Sequence, residues 1–231
     1  MSEFLSSSSF FAVTLTLLIW WGANLLQKKT GLVVLHPILI SVIAIIAVLL
    51  VMGIPNSVYQ EGMSHFSYLM TPATICLALP LYEQVKVLKK NLLAILLGVL
   101  CGTLTSLLVV GGLCLLFRLE PALTVSLLPK SITSAIGAPV AEAMGGISSV
   151  TVTVIIATGI LGNVFAHVLC RIFRISDPIA QGAAIGTSAH VIGTTKAAQM
   201  GEIQGAVSSL SLVAAGVLTA FLMPLLSGIF I

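Results

Sequence analysis

Ile136-Gly137-Ala138-Pro139-Val140-Ala141-Glu142-Ala143-Met144-Gly145 and Ile192-Gly193-Thr194-Thr195-Lys196-Ala197-Ala198-Gln199-Met200-Gly201 share one spacing, I-G-x3-A-x2-M-G. The likeness extends outward from this core. Upstream, Glu120-Pro121 stands against Asp177-Pro178. Downstream, Ser148-Ser149-Val150-Thr151-Val152 resembles Ser208-Ser209-Leu210-Ser211-Leu212 after a short insertion, and Gly159 then falls near Gly216. Each copy is a polar, breaker-rich segment followed by a long apolar run, so the C-terminal half is a duplication, 120–172 and 177–230.

The surroundings of this duplication set the solvent. Of 231 residues, 58% are hydrophobic and only 7% charged, and mean hydropathy is +1.17. Soluble domains carry roughly a quarter charged residues, so this chain is built for lipid. Stretches free of Asp, Glu, Lys and Arg run over Phe4–Gln27, Thr30–Gln60, Asn91–Phe117, Ala143–Cys170 and Ile203–Ile231. Each is long enough for a helix across about 30 Å of hydrocarbon. The predicted spans are Ser9–Gln27, Pro37–Gly53, Phe66–Glu83, Asn91–Phe117, Ser148–Arg171 and Ala206–Phe230. The first run lacks a basic leader and a small-residue cleavage site, and reads as an anchor rather than a signal peptide.

The net charge of +3 comes from scattered basic residues rather than a patch, which argues against nucleic acid. Lys28/Lys29, Lys86/Lys89/Lys90 and Arg171/Arg174 fit cytoplasmic loops, whereas the 54–64 loop holds Glu61 and no cation. Counting from an outside N-terminus, the span from Asn91 ends outside near Arg118, and the span from Ser148 must also begin outside. Pro121–Gly145 therefore enters and leaves by one face, as a re-entrant hairpin whose break is Leu128-Pro129-Lys130-Ser131. A hairpin plus one span crosses an odd number of times, so two successive units are oppositely oriented. The expected fold is an all-α integral membrane protein of about six spans plus two broken hairpins forming an inverted repeat. Residues 1–117 would be a scaffold half and 118–231 the repeat half, with both termini outside a bacterial inner membrane. Inverted repeats with paired broken helices are the build of secondary transporters; a duplication kept only for packing is the plainer alternative.

Lys130 follows Pro129 and precedes Ser131, Thr133 and Ser134, placing an ammonium and hydroxyls at the start of a half-helix, a combination that attracts anions. A lysine snorkelling to the interface or paired with Glu142 is the alternative. The second copy offers Thr187, Ser188, His190, Thr194 and Thr195, with His190 suited to proton relay or to a simple packing hydrogen bond. Glu142, Lys196 and Glu202 are candidates for proton coupling or for ion pairs between the hairpins. Asn163 and His167, at i and i+4, and Glu83 rank second. His36-Pro37, Thr71-Pro72 and Leu79-Pro80 mark breaks in the first half. Cys76, Cys101, Cys114 and Cys170 sit singly in apolar runs and read as small hydrophobes. With no P-loop, HExxH, GxSxG or His/Cys cluster, the expectation is neither an enzyme nor a binder of metal or cofactor.

Leu79-Pro80-Leu81-Tyr82-Glu83-Gln84, Leu128-Pro129-Lys130-Ser131-Ile132-Thr133, Gly145-Gly146-Ile147 and Gly186-Thr187-Ser188-Ala189-His190 followed by Gly193-Thr194 together resemble the LrgB/CidB family of bacterial membrane proteins. That family is also similar to part of the plant plastid glycolate/glycerate translocator. The resemblance covers essentially the whole chain. It implies a companion membrane protein of the LrgA/CidA type and two roles given to the family: antiholin-like regulation of murein hydrolases and autolysis, and transport of pyruvate or glycolate. The expectation is thus a carrier of a small monocarboxylate, with a holin-like pore or its regulator as the alternative. A homodimer is the default assembly.

Overall fold

The computed structural model describes residues 9–30, 37–69, 72, 75–76 and 78–230. His36 and Thr71 lie outside the described residues. The chain divides into two compact units, Met1–Cys76 and Leu77–Ile231.

In the first unit, α1 (Ser9–Thr30) packs against α2 (Pro37–Met52) and α3 (Asn56–Ser67). Lys28 and Lys29 fall in the last turn of α1, where cations complement the helix dipole. α2 ends on Gly53 at φ 63, and the Ile54 N–H reaches back to Leu49 O at 3.0 Å. Only a residue free of a Cβ takes that left-handed step cheaply. Thr16 Oγ1 lies 2.8 Å from the Tyr59 hydroxyl and ties α1 to α3.

The second unit comprises α4 (Ala78–Glu83), α5 (Val85–Leu116), α6 (Pro121–Leu127), α7 (Ser134–Ala143), α8 (Ser148–Ile172), α9 (Pro178–Met200) and α10 (Glu202–Phe230). Among the described residues, four helices are long and apolar enough to cross a membrane: Phe10–Thr30, Val85–Leu116, Ser148–Ile172 and Glu202–Phe230. Pro37–Met52 is apolar but shorter, and the expected span Phe66–Glu83 lies partly outside the described residues. α5 starts at Val85 rather than Asn91 because nothing in Lys86–Lys90 breaks a helix. At 1.5 Å per residue it is about 48 Å long, which outruns the hydrocarbon. Leu93, Leu116, Phe221 and Leu225 are each at least 70% exposed, a surface suited to lipid.

α5 and α8 end alike. Cys114-x2-Phe117-Arg118 and Cys170-x2-Phe173-Arg174 place their arginines at φ 50 and 54. The following N–H returns to the cysteine carbonyl in both, Leu119 to Cys114 at 3.0 Å and Ile175 to Cys170 at 2.8 Å. A proline then opens the next helix, Pro121 of α6 and Pro178 of α9. The duplicated sequence therefore starts one helix end further upstream than the Ile-Gly motif alone reveals.

Both copies contain a broken element. In the first, α6 and α7 flank a six-residue break at Leu128–Thr133, and the chain comes back to α6, where the Ile147 N–H donates to Ser126 Oγ at 2.7 Å. In the second, α9 reverses at Ala189 (φ −132, ψ 16) and His190 (φ 41, ψ −143). Its two arms then lie against the same stretch of α10. Gly182 faces Gln204 and Val207 while Gly205 faces Ala198, and both Gly186 and Thr194 meet Ser208. α9 is thus a helical hairpin with His190 at its tip.

α10 organises the unit. Its start carries the arms of α9, Ile136 of α7 reaches Gly216, and Met223 and Phe230 share a core with Val125, Leu128 and Ala141. The open ends of the two hairpins accordingly lie at opposite ends of α10. α5 runs parallel to α10, with Gln84 beside Glu202 at one end and Gly111 beside Phe230 at the other.

Candidate functional site

Between α5, the first arm of α9 and the break after α6 lies a cavity of about 770 Å³. Small residues open it. Ala94, Gly98 and Gly102 of α5 face Ala180, Ala183 and Ala184 of α9, leaving space where larger side chains would close it. At one end stand Asn91 and Asp177, whose carboxylate caps α9 by accepting the Ala180 N–H at 2.8 Å. At the other end are Lys130 and Ser131 from the break, Thr105 and Ser106 from α5, and Thr187 and Ser188 from α9. From Asn91 to Ser106 the cavity follows α5 for about 22 Å, at 1.5 Å per residue.

Lys130 is the cation of this cavity, and its ammonium donates to Ser131 Oγ at 3.1 Å. Ser131 is buried and lies 3.1 Å from Ser106 Oγ, which joins the break to α5. Thr187 and Ser188 spend their hydroxyl protons on Ala183 O and Ala184 O of the preceding turn, both at 2.7 Å. Their oxygens remain able to accept. Directly behind, a pocket of about 10 Å³ is bounded by Thr103, Ser106, Ser131, Thr187 and Thr219. Among the described residues, Thr103 Oγ1 is buried there without a hydrogen-bond partner. An ammonium flanked by hydroxyls in a mostly apolar cleft holds an anion well, because little water competes for either.

The remaining sequence candidates fall elsewhere. Thr133 precedes α7 without capping it through its side chain, and Ser134 opens that helix; neither lines the cavity. His190 is buried on the far side of its arm, with Nε2 2.8 Å from Ile155 O of α8. Thr194 donates to His190 O at 2.9 Å and lies 2.8 Å from Ser208 Oγ. Asn163 donates to Ile192 O at 2.7 Å and to Thr195 Oγ1 at 3.1 Å, fastening α8 to the returning arm. Glu83 and Glu142 are exposed, and Glu202, also exposed, accepts from Gln84 Nε2 at 3.4 Å. His167 and Lys196 meet in a different cavity, together with Gln181, Gln199 and Gln204.

Sequence reasoning passed over the α5 wall. The signal was present: Gly98 and Gly102 at i and i+4, followed one turn later by Thr105 and Ser106, mark one small and polar face in an otherwise apolar run.

Comparison with known proteins gives one consistent neighbourhood. The LrgB-like family pattern matches residues 16–229. A holin-like protein CidB of Staphylococcus epidermidis is 34% identical over 98% of both chains. A holin-like protein CidB of Staphylococcus aureus is 35% identical over 93% of both. The uncharacterized protein YwbG of Bacillus subtilis is 34% identical over 92% of this chain and 94% of its own. No solved structure matches.

Proposed function

The chain belongs to the LrgB-like family, and on that premise we propose that it is a holin-like, multi-pass membrane protein. In this role it alters what crosses the bilayer of a bacterial cell and through that bears on murein hydrolase activity, beside a companion membrane protein of the LrgA/CidA type. The observation that carries this reading is the breadth of the likeness. Relatives named holin-like match along 98% of the chain, so the whole helical framework is shared and not a single motif.

The cavity favours a second reading, a carrier of a small organic anion of the pyruvate or glycolate kind. Lys130, Ser131, Thr187 and Ser188 line one cavity although they come from the two different copies of the repeat. The opposite placement of the hairpin ends along α10 supports an inverted repeat with re-entrant hairpins, the arrangement in which paired breaks form a substrate site near the midplane. A pore that only perturbs the bilayer needs no cation there.

Proteoliposomes holding the purified chain, with and without the companion protein, separate the two. Release of trapped solutes over a range of sizes, without saturation, supports the holin-like role. Saturable uptake of labelled pyruvate or glycolate that falls in Lys130→Met supports the carrier. Absence of such uptake, with the companion present and solutes leaking, removes the carrier reading.

A further inference from the structure

A second cavity, of about 420 Å³, opens where α9 begins and ends. Gln181 enters it from the first arm of α9, Lys196, Gln199 and Met200 from the returning arm, Gln204 from α10 and His167 from α8. Three carboxamides, an imidazole and an ammonium therefore converge, with no Asp or Glu in the lining among the described residues. Gln181 and Gln204 are held in place, Gln204 donating to Gln181 Oε1 at 3.2 Å and Gln181 donating to Ile175 O at 2.7 Å. Lys196 is half-buried, and among the described residues it has neither hydrogen bond nor ion pair.

These residues distinguish the second copy from the first. In the first copy Lys196 has Val140 as its counterpart and Gln199 has Ala143, while the framework positions Ala141/Ala197 and Met144/Met200 are unchanged. The second copy alone carries a cation and a donor at these two positions, which share one cavity. His167 lies one turn before Arg171 on the same face of α8, so the cavity sits at the end of that helix where its apolar run gives way to charge. Basic pockets between helices at the membrane surface take phosphate headgroups, because their donors match phosphate oxygens and the site is only partly hydrated.

We propose that the cavity formed by His167, Gln181, Lys196, Gln199 and Gln204 is a binding site for a phosphate-type oxyanion. Lys196 supplies the charge, and His167 and the carboxamides of Gln199 and Gln204 supply directional donors. The cavity is larger than one oxyanion requires and has room for the group esterified to it.

The test uses the full chain, purified and delipidated, titrated with dioctanoyl phosphatidylglycerol, dioctanoyl phosphatidylcholine and sodium phosphate, with bound species counted by native mass spectrometry. Saturable binding of phosphatidylglycerol or of phosphate is expected, weakened about tenfold or more in Lys196→Gln, the scale of one lost charge-assisted bond. Gln199→Glu, at an exposed position, places a carboxylate in the lining without removing the lysine and gives the same loss. Lys28→Gln, at an exposed position of α1 outside both cavities, changes binding less than twofold. Binding of phosphatidylglycerol without phosphate assigns the site to a lipid headgroup, and binding of phosphate alone assigns it to a soluble phosphorylated solute. Equal binding of phosphatidylcholine with none of phosphate, no saturable binding, or affinities unchanged in both Lys196→Gln and Gln199→Glu overturn the proposal.

Discussion

His190 Nε2 lies 2.8 Å from Ile155 O, which ties the tip of α9 to the first third of α8. A carbonyl can only accept, so Nε2 carries the proton. The residue achieves this at φ 41, a left-handed conformation that a side chain resists. In a helix interior glycine is worse than alanine by about 1 kcal/mol. Here the order inverts: both His190→Ala and His190→Gly lose the hydrogen bond, and His190→Gly is the more stable by about 1 kcal/mol. Thermal unfolding of the two variants in one detergent decides it; alanine ranking above glycine counts against the strained tip.

The glycines of α5 and α9 respond oppositely to one added methyl. A Cβ on Gly186 would meet the Ser208 main chain, with Cα at 2.8 Å, and a backbone cannot turn aside. A Cβ on Gly98 meets nothing within 4 Å, although Gly98 lines the large cavity. Gly186→Ala therefore costs about 2 kcal/mol or more and lowers the yield of folded protein. Gly98→Ala, in a helix interior with room for the methyl, stabilises by up to about 1 kcal/mol, so the unfolding temperature holds or rises while the cavity narrows. Comparable stability of the two would refute the close α9–α10 contact.

Lys130→Met separates stability from function. Removing a half-buried ammonium whose hydrogen-bond partner is one hydroxyl relieves a desolvation penalty, so the variant unfolds at the same temperature or higher. Uptake of a small carboxylate, where the chain catalyses it, falls by tenfold or more. Lys130→Arg keeps the charge and retains part of the uptake. Loss of both fold and uptake in Lys130→Met would make the lysine a packing residue.

Arg118 and Arg174 end α5 and α8 in one conformation. In an inverted repeat these matching ends face opposite sides of the membrane. In a chain whose exposed native cysteines Cys76 and Cys101 are replaced, Arg118→Cys and Arg174→Cys are expected to react with an impermeant maleimide from different sides. Labelling of both from one side breaks the inverted arrangement.

The sequence was legible where chemistry interrupts an apolar run. Pro129 removes a donor and Lys130 resists burial, so the break after α6 announces itself, and Asp177-Pro178 signals the start of α9. The second break was expected through the repeat, but its place at Ala189-His190 does not announce itself, because its cause is tertiary: Gly159 and Gly162 of α8 leave the hollow that receives the His190 ring and Ala189. Rotation about a helix axis was equally hidden. Thr187, Ser188 and Thr194 are alike as residues, but the first two line the large cavity while Thr194 turns to Ser208. Aligning the copies shows which positions correspond and says nothing of which way each faces.

Gly182, Gly186 and Gly205 bring the main chains of α9 and α10 close together, Gly186 against the Ser208 main chain itself. Contacts that close resist sliding by small steps, which couples α9 to α10. Along α5, by contrast, Gly102 meets Thr187 through a methyl group, and Ser106 meets Ser131 through exchangeable hydroxyls. Any sliding plane in this unit runs along α5, and Lys130 lies beside it.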